Sequence, residues 1–325
     1  MLVLNLVEAV TNALDVAMDQ DKNVVVFGED VGFEGGVFRA TKGLQAKYGE
    51  DRCFDSILAE SSIVGSGIGM AINGLKPVVE IQFSGFMFPG FNQIVTHAAR
   101  MRNRTRGLYT VPMVIRMPYG GGVRALEHHS ESLEVLFGHT AGLKVVVPST
   151  PYDAKGLLLA AIADPDPVIF MEPKRIYRAF KQEVPDNYYT IPIGKAKVVK
   201  EGKDLTVVAW GAMVRETQKA IEILEKEGVS IELIDLRTIS PIDKETILAS
   251  VQKTGRFAVV HEAATTFGPG AELITIVNEG AFLYLEAPPK RVASNDTIVP
   301  LPKGEHHYVP DVDYIASELR DVLKF

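Results

Sequence analysis

Glu60 is a lone carboxylate at the head of residues 59–71, a run with no other charge and no bulky polar group. An acid at the mouth of so apolar a stretch must find a partner or shift its pKa upward, and either outcome suits it to proton chemistry. The competing reading is an acid that only interacts with the dipole of a helix amino terminus. Two further segments carry groups of the right kind. In residues 77–88, Gln82 could hydrogen-bond a heterocycle and Phe86 could stack on one, unless Phe83, Phe86 and Phe88 simply fill a core. In residues 118–130, Gly120, Gly121 and Gly122 give a pliable loop that leads to His128 and His129, either of which could act as general acid or base. No second cluster of ligands stands at a useful spacing from these histidines, so no metal ligand is assigned. The paired His306 and His307 lie in a proline-rich loop that suits an exposed surface.

These residues need elements to position them. Short β-branched runs at 24–27, 78–83, 113–116, 144–147 and 168–170 alternate with helical patterning at 61–73, 91–104 and 152–163. The pattern predicts a parallel sheet covered by helices. The helix at 61–73 is expected to be buried, its small residues letting a neighbour approach closely. Its Gly65, Gly67 and Gly69 do not make a dinucleotide fingerprint, because the third glycine should fall at position 70, which is Met. Asn5 followed by Glu8 predicts a capping box at the first helix. After a polar stretch with Pro185 and Pro192, a second series begins: strands at 205–210, 230–236 and 257–261, helices at 214–227, 244–253 and 271–278, then a strand at 288–293 and a helix at 314–323. The expected division is a first domain over 1–185, a connection over 186–203 and a second domain over 204–325, both α/β. Asp235, Arg237 and His261 fall at strand ends of the second domain without a recognisable constellation.

Composition narrows the partners. With 34 Lys and Arg against 41 Asp and Glu, the net charge of -7 gives no reason to expect nucleic acid or an anionic membrane. The basic run from Arg100 to Arg106 reads as a solvated helix face. Cys53 is the only cysteine, which excludes intrachain disulfides and thiolate clusters and suits a reducing, cytoplasmic setting. The apolar amino terminus lacks a basic n-region and contains Glu8, so it is read as a helix rather than a signal peptide. No stretch long enough to span a membrane is present.

Gly28-Glu29-Asp30-Val31, Gly35-Gly36-Val37-Phe38, Ala59-Glu60, Glu80-Ile81-Gln82-Phe83, Gly120-Gly121-Gly122-Val123, His129-Ser130, the segment from Pro148 to Gly156 and Asp235-Leu236-Arg237-Thr238 follow one another along nearly the whole chain. Together they resemble the beta subunit of the thiamine-diphosphate-dependent 2-oxoacid dehydrogenases. Phe88-Pro89-Gly90-Phe91, Met171-Glu172-Pro173-Lys174-Arg175 and Val207-Val208-Ala209-Trp210-Gly211 look most like the branched-chain type, with the pyruvate type and an acetoin-cleaving relative as alternatives.

The resemblance implies a transketolase-like pyrimidine-binding domain followed by a transketolase C-terminal-like domain. It implies that Glu60 serves proton exchange with the aminopyrimidine of thiamine diphosphate, that Leu58, Gln82 and Phe86 line the same pocket, and that His129 serves acyl transfer to a lipoyl group. The family also holds diphosphate and Mg2+ with a Gly-Asp-Gly sequence, which this chain does not contain. The resemblance therefore implies an alpha subunit that supplies those ligands, an alpha2-beta2 heterotetramer, and a lipoyl acyltransferase core as partner. A non-catalytic scaffold that docks the core is the rival reading. Pro89 and Asn92 stand where some relatives place acids of a proton relay. Some relatives also bind potassium through carbonyls matching Met113, Ala161, Asp164 and Asp166, and no ion is assigned here.

Overall fold

The computed structural model describes residues 1–325. Its first sheet has seven strands in the order Thr238–Ser240, Lys144–Val146, Val168–Pro173, Val114–Tyr119, Lys76–Glu80, Val24–Gly28 and Cys53–Asp55. All neighbours run parallel except Thr238–Ser240, which pairs antiparallel with Lys144–Val146. Because successive strand residues face opposite sides, Val78 and Val114 join one apolar core while Val79 and Ile115 join the other. Helices Leu6–Gln20 and Pro151–Ala163 pack together in the first of these cores. Ile63, Val64 and Ile68 of helix Glu60–Ile72 belong to the second. Burial on both faces explains why the strands read as continuous apolar runs.

The second sheet has five strands, ordered Lys290–Ser294, Phe257–Ala264, Leu205–Ala209, Ile231–Asp235 and Lys197–Lys200. Helices Ala212–Glu225 and Val312–Val322 pack against one another beside it, as do helices Lys244–Thr254 and Pro269–Ala281. Both apolar cores draw residues from both sheets: Val78 and Val207 share one, Val79 and Val208 the other.

Asn5 and Glu8 form the expected capping box, each side chain accepting from the other's backbone N–H, at 2.8 and 3.0 Å. Other expectations need correction. The stretch 186–203 is not plain connection, since Lys197–Lys200 closes an edge of the second sheet in antiparallel pairing with Ile231–Asp235. Its alternation of exposed and half-buried positions is masked in the sequence, because Val199 falls on the exposed side and Lys200 on the half-buried one. The helix expected over 91–104 is interrupted: Phe88–Gln93 is α-helical, Ile94–Ala98 forms a π turn and Met101–Arg104 resumes α-helix. A π turn inserts a residue into the helical repeat and so breaks the periodicity that a single helix would keep.

The helix Glu60–Ile72 is only half buried within this chain. Gly67 meets Met113 and Val79 closely, where an added Cβ would lie 2.5 Å from Met113 Cε. Ser61, Ser62, Ser66 and Gly69 are exposed. The small residues thus serve close approach on one face and leave an open face on the other. No helix of the chain is long and apolar enough to cross a membrane.

Candidate active site

The chemistry-bearing residues gather beyond the carboxyl ends of the parallel strands, where ligands bind in such sheets. Glu29 and Asp30 follow strand Val24–Gly28, Leu58 and Glu60 follow Cys53–Asp55, Gln82 and Phe86 follow Lys76–Glu80, and the loop to His129 follows Val114–Tyr119.

Glu60 is the first residue of its helix, and no side chain caps that helix. Its backbone carbonyl packs on Gly90, where a Cβ would sit 3.0 Å away. Glu60 thereby abuts the segment that carries Phe86. Two other acids share this corner: burial, then the charges of Asp30 and Glu60, push the Glu29 carboxyl up. Gln82 Nε2 donates to Asp30 Oδ2 at 3.3 Å, which ties the strand-end amide to the same group. Glu60, Gln82 and Phe86 are half-buried, whereas Leu58 is 73% exposed. The expected pocket residues are brought to one corner, but the corner has an open side.

His129 is set by aromatic packing. Its ring lies edge-on to Phe83 at 4.5 Å and to Phe86 at 5.0 Å, and these two phenylalanines meet each other at 5.2 Å. Phe83 and Phe86 therefore form a cradle for an imidazole rather than anonymous core. The turn Ser84–Met87 packs on Glu127–His129 so tightly that a Cβ on Gly85 would strike the His128 carbonyl. His129 Nδ1 is buried without a hydrogen-bond partner. His128 points elsewhere, its Nδ1 lying 3.4 Å from Glu131 Oε2. The two histidines, equivalent by residue type, are distinguished by their surroundings.

Beneath the strand ends lies a buried charge network. Arg116 is fully buried and donates from Nε and Nη2 to the two oxygens of Glu172, at 2.6 and 3.0 Å, and from Nη1 to Glu80 Oε2 at 2.9 Å. Tyr177 Oη adds a donor to Glu172 at 2.6 Å. The bidentate geometry fixes three adjacent strands just before Gln82 and the glycine loop. The sequence reading missed this network, although an arginine and two acids inside apolar strands were a usable signal.

The second half of the molecule reaches this region through groups that looked unconnected in the sequence. Arg237 Nη2 is ion-paired with Asp153 of the first half. Burial, then the Asp153 charge, pushes the Asp235 carboxyl up. His261 stacks on Trp210 at 5.3 Å and is fully buried, which pushes its imidazole down to about 4. Glu262 and Glu305 accept from the amides of Gly121 and Gly122. His306 and His307 are exposed with their rings 3.8 Å apart. The carbonyls of Met113 and Ala161 accept backbone bonds from Val168 and Asp164.

As a receptor for thiamine diphosphate, this corner fits one end of the cofactor. A carboxylate, an amide and an aromatic face are suited to an aminopyrimidine ring. No group of three or more His, Cys, Asp or Glu side chains stands together in a metal-binding arrangement.

Residues 3–179 match the family of transketolase pyrimidine-binding domains, and residues 194–315 match the transketolase C-terminal domains. The chain is 67% identical over 324 residues to the pyruvate dehydrogenase E1 component subunit beta of Acholeplasma laidlawii, covering 100% of this chain and 99% of that one. It is 58% identical to the protein of the same name from Mycoplasma pneumoniae, over 98% of each chain. Identity is 51% to that of Bacillus subtilis, over 99% of each. A split gene transketolase solved as an inactive beta4 tetramer shares the fold, with a TM-score of 0.78 over 99% of each chain at 22% identity.

These relatives carry the pyruvate name, so the expected leaning toward the branched-chain type is not supported. The motifs that suggested it are occupied with packing. Gly90 fits against Glu60, Glu172 holds Arg116, Lys174 holds the Gly120 carbonyl and Trp210 donates to Glu134. Residues committed to internal contacts carry little information about a substrate side chain.

Proposed function

Because the chain belongs to the beta subunits of the thiamine-diphosphate-dependent 2-oxoacid dehydrogenases, we propose that it builds the aminopyrimidine half of an active site that decarboxylates pyruvate. An alpha subunit completes the site, in an alpha2-beta2 assembly that passes the acyl group to the lipoyl group of an acyltransferase core. Bound thiamine diphosphate supplies the electron sink that makes loss of carbon dioxide possible. The observation that carries the reading is the corner of Glu60, Gln82 and Phe86, apolar on the side of the chain and open on the other.

Glu60 holds and exchanges a proton at its carboxylate oxygens with a ring nitrogen of the aminopyrimidine. Gln82 offers both a donor and an acceptor to the same ring, while Phe86 and Leu58 supply apolar walls. Exposed Leu58 is then covered by the alpha subunit, which also brings the ligands of the diphosphate and Mg2+. His129, held by Phe83 and Phe86, delivers a proton to the sulfur that leaves when the lipoyl disulfide opens.

The test is reconstitution with the alpha subunit and a rate comparison of pyruvate with 2-oxoisovalerate, before and after Glu60→Gln. Pyruvate is expected to be the faster substrate, and the substitution to cost about 10²- to 10⁴-fold in decarboxylation. Near wild-type turnover in a correctly assembled Glu60→Gln complex would sink the role of Glu60, and faster turnover of 2-oxoisovalerate would sink the substrate.

A further inference from the structure

The root of the His129 loop is held from the other half of the molecule. Gly121 N–H donates to Glu262 Oε1, near the end of strand Phe257–Ala264, and Gly122 N–H donates to Glu305 Oε1, on the turn Glu305–His307. Lys174 Nζ donates to the Gly120 carbonyl. All three side chains are buried, with exposures of 4, 3 and 3% respectively. The three glycines therefore have their backbone groups claimed in succession by two carboxylates and one ammonium.

The glycines are required for this contact. A Cβ on Gly120 would lie 2.9 Å from both carboxylate oxygens of Glu262, and Gly120 and Gly122 adopt φ values of +80° and +92°. Such backbone is open to glycine and strained for other residues. The loop also closes on itself. Gly120 N–H donates to the Glu131 carbonyl at 3.0 Å, and Ser84 Oγ reaches the same carbonyl at 2.9 Å. Residues 120–131 are thus a loop with joined ends, fixed at its root by Glu262 and Glu305 and carrying His129 two residues before its close.

Burial makes this arrangement costly. It raises the Glu262 carboxyl, opposed by the Gly121 amide and then by Lys174 and Arg175. It also brings Lys174 down to about 8, opposed by Glu262 and Glu305. Two buried acids around three glycines are an expensive way to join two domains, because apolar packing would do so without desolvating charge. They are well suited to holding backbone amides in one orientation.

We propose that Glu262 and Glu305 are positioning residues for His129, fixing the root of its loop so that the imidazole keeps its place between Phe83 and Phe86. This rests on the acyl-transfer role given to His129 above. The second domain then has a part in the reaction that is exerted through the His129 loop, although it contributes no group to the reacting atoms.

The test uses the assembled heterotetramer with a lipoylated domain as acceptor. Glu305→Met keeps most of the side-chain bulk and removes the acceptor, whereas Glu305→Gln keeps a carbonyl oxygen for Gly122 N–H. Lipoyl acylation is expected to fall about tenfold or more in Glu305→Met, the loss that follows removal of a hydrogen bond to a charged group, while decarboxylation with an artificial electron acceptor stays within about twofold. Glu305→Gln should restore most of the acylation. Trypsin should cut after exposed Arg124 sooner in Glu305→Met than in the parent or in Glu305→Gln. Equal loss of both activities, or no change in either activity or cleavage, overturns the proposal. His129→Ala is measured in parallel. If it leaves acylation intact, the role of His129 has failed and this inference with it; if it abolishes acylation while Glu305→Met does not, only the positioning claim has failed.

Discussion

The indole N–H of Trp210, the residue after strand Leu205–Ala209 of the second sheet, donates to Glu134 Oε1 at 3.1 Å, just beyond the loop that carries His129. Glu134 is fully buried, and its Oε2 has no partner. Burial pushes this carboxyl up from 4.5 to about 7, against the pull of its own backbone and of Trp210. A carboxyl with a raised folded value binds its proton more readily in the folded chain. The stability this adds is present below 4.5 and is lost as the pH rises through about 7. Asp235 acts in the same direction, while His261, pushed down from 6.5 to about 4, adds stability that is present above 6.5 and lost as the pH falls through 4. Glu134→Gln keeps an acceptor for Trp210 and removes the titration. Thermal unfolding from about pH 5 to about pH 8 should show a flatter decline in the variant, and an unchanged slope would count against Glu134 as a source of it.

Arg116 should be among the least replaceable residues in the chain. Its three nitrogens serve Glu80 and Glu172, both buried, and its removal leaves two carboxylates with no cation between them. Breaking a buried pair in this way costs about 3–5 kcal/mol. Arg116→Met is therefore expected to lower the unfolding free energy by that amount in chemical denaturation. Arg116→Lys should recover only part of it, because an ammonium cannot reproduce the bidentate contact with Glu172. A loss below about 1 kcal/mol, the range of an exposed pair, would refute the account.

His129 and Glu60 should separate two stages of catalysis. His129→Ala is expected to leave pyruvate decarboxylation with an artificial acceptor near the parent rate and to lower lipoyl acylation by about 10²- to 10⁴-fold. His128→Ala, whose side chain faces Glu131, should affect neither strongly. Parallel assays of both stages on the reconstituted complex decide the matter, and equal loss of both in His129→Ala would contradict the separation.

Gly85 offers a steric check on the same cradle. A Cβ there meets the His128 carbonyl and lies 2.6 Å from Glu131 Oε2, so Gly85→Ala must push the histidine turn away from Ser84–Met87. Overpacking of this kind costs about 1–3 kcal/mol. The unfolding temperature should fall and lipoyl acylation should suffer more than decarboxylation. A variant as stable and active as the parent would show that the turn yields without cost.

Much of the architecture can be read from local pattern. Asn5 and Glu8 announce the first helix because a capping box needs only four residues, and the buried parallel strands announce themselves by unbroken β-branched runs. Thr238–Ser240 could not be assigned to the first sheet, since three residues carry too little pattern to say which edge they join. The site divides along the same line. Glu60, Gln82, Phe86 and His129 were legible by type and by their place after strands. Glu262 and Glu305 were not, because their partners Gly121 and Gly122 lie 141 and 183 residues away and the contact is made to backbone, which leaves no complementary side chain to notice. The half-open helix Glu60–Ile72 was misjudged for a related reason: glycine and serine suit close packing and exposure alike.

Thr238–Ser240 belongs by sequence to the second half of the chain but completes the first sheet, with Thr238 opposite Val146 and Ser240 opposite Val145. A fragment that stopped before residue 204 would leave the outer side of Lys144–Val146 bare, with backbone donors and acceptors free to recruit a strand from another molecule. The two halves are therefore not interchangeable cassettes. Fission or transplantation at the connecting stretch would produce a sticky amino-terminal piece, and the intact chain should melt in a single step.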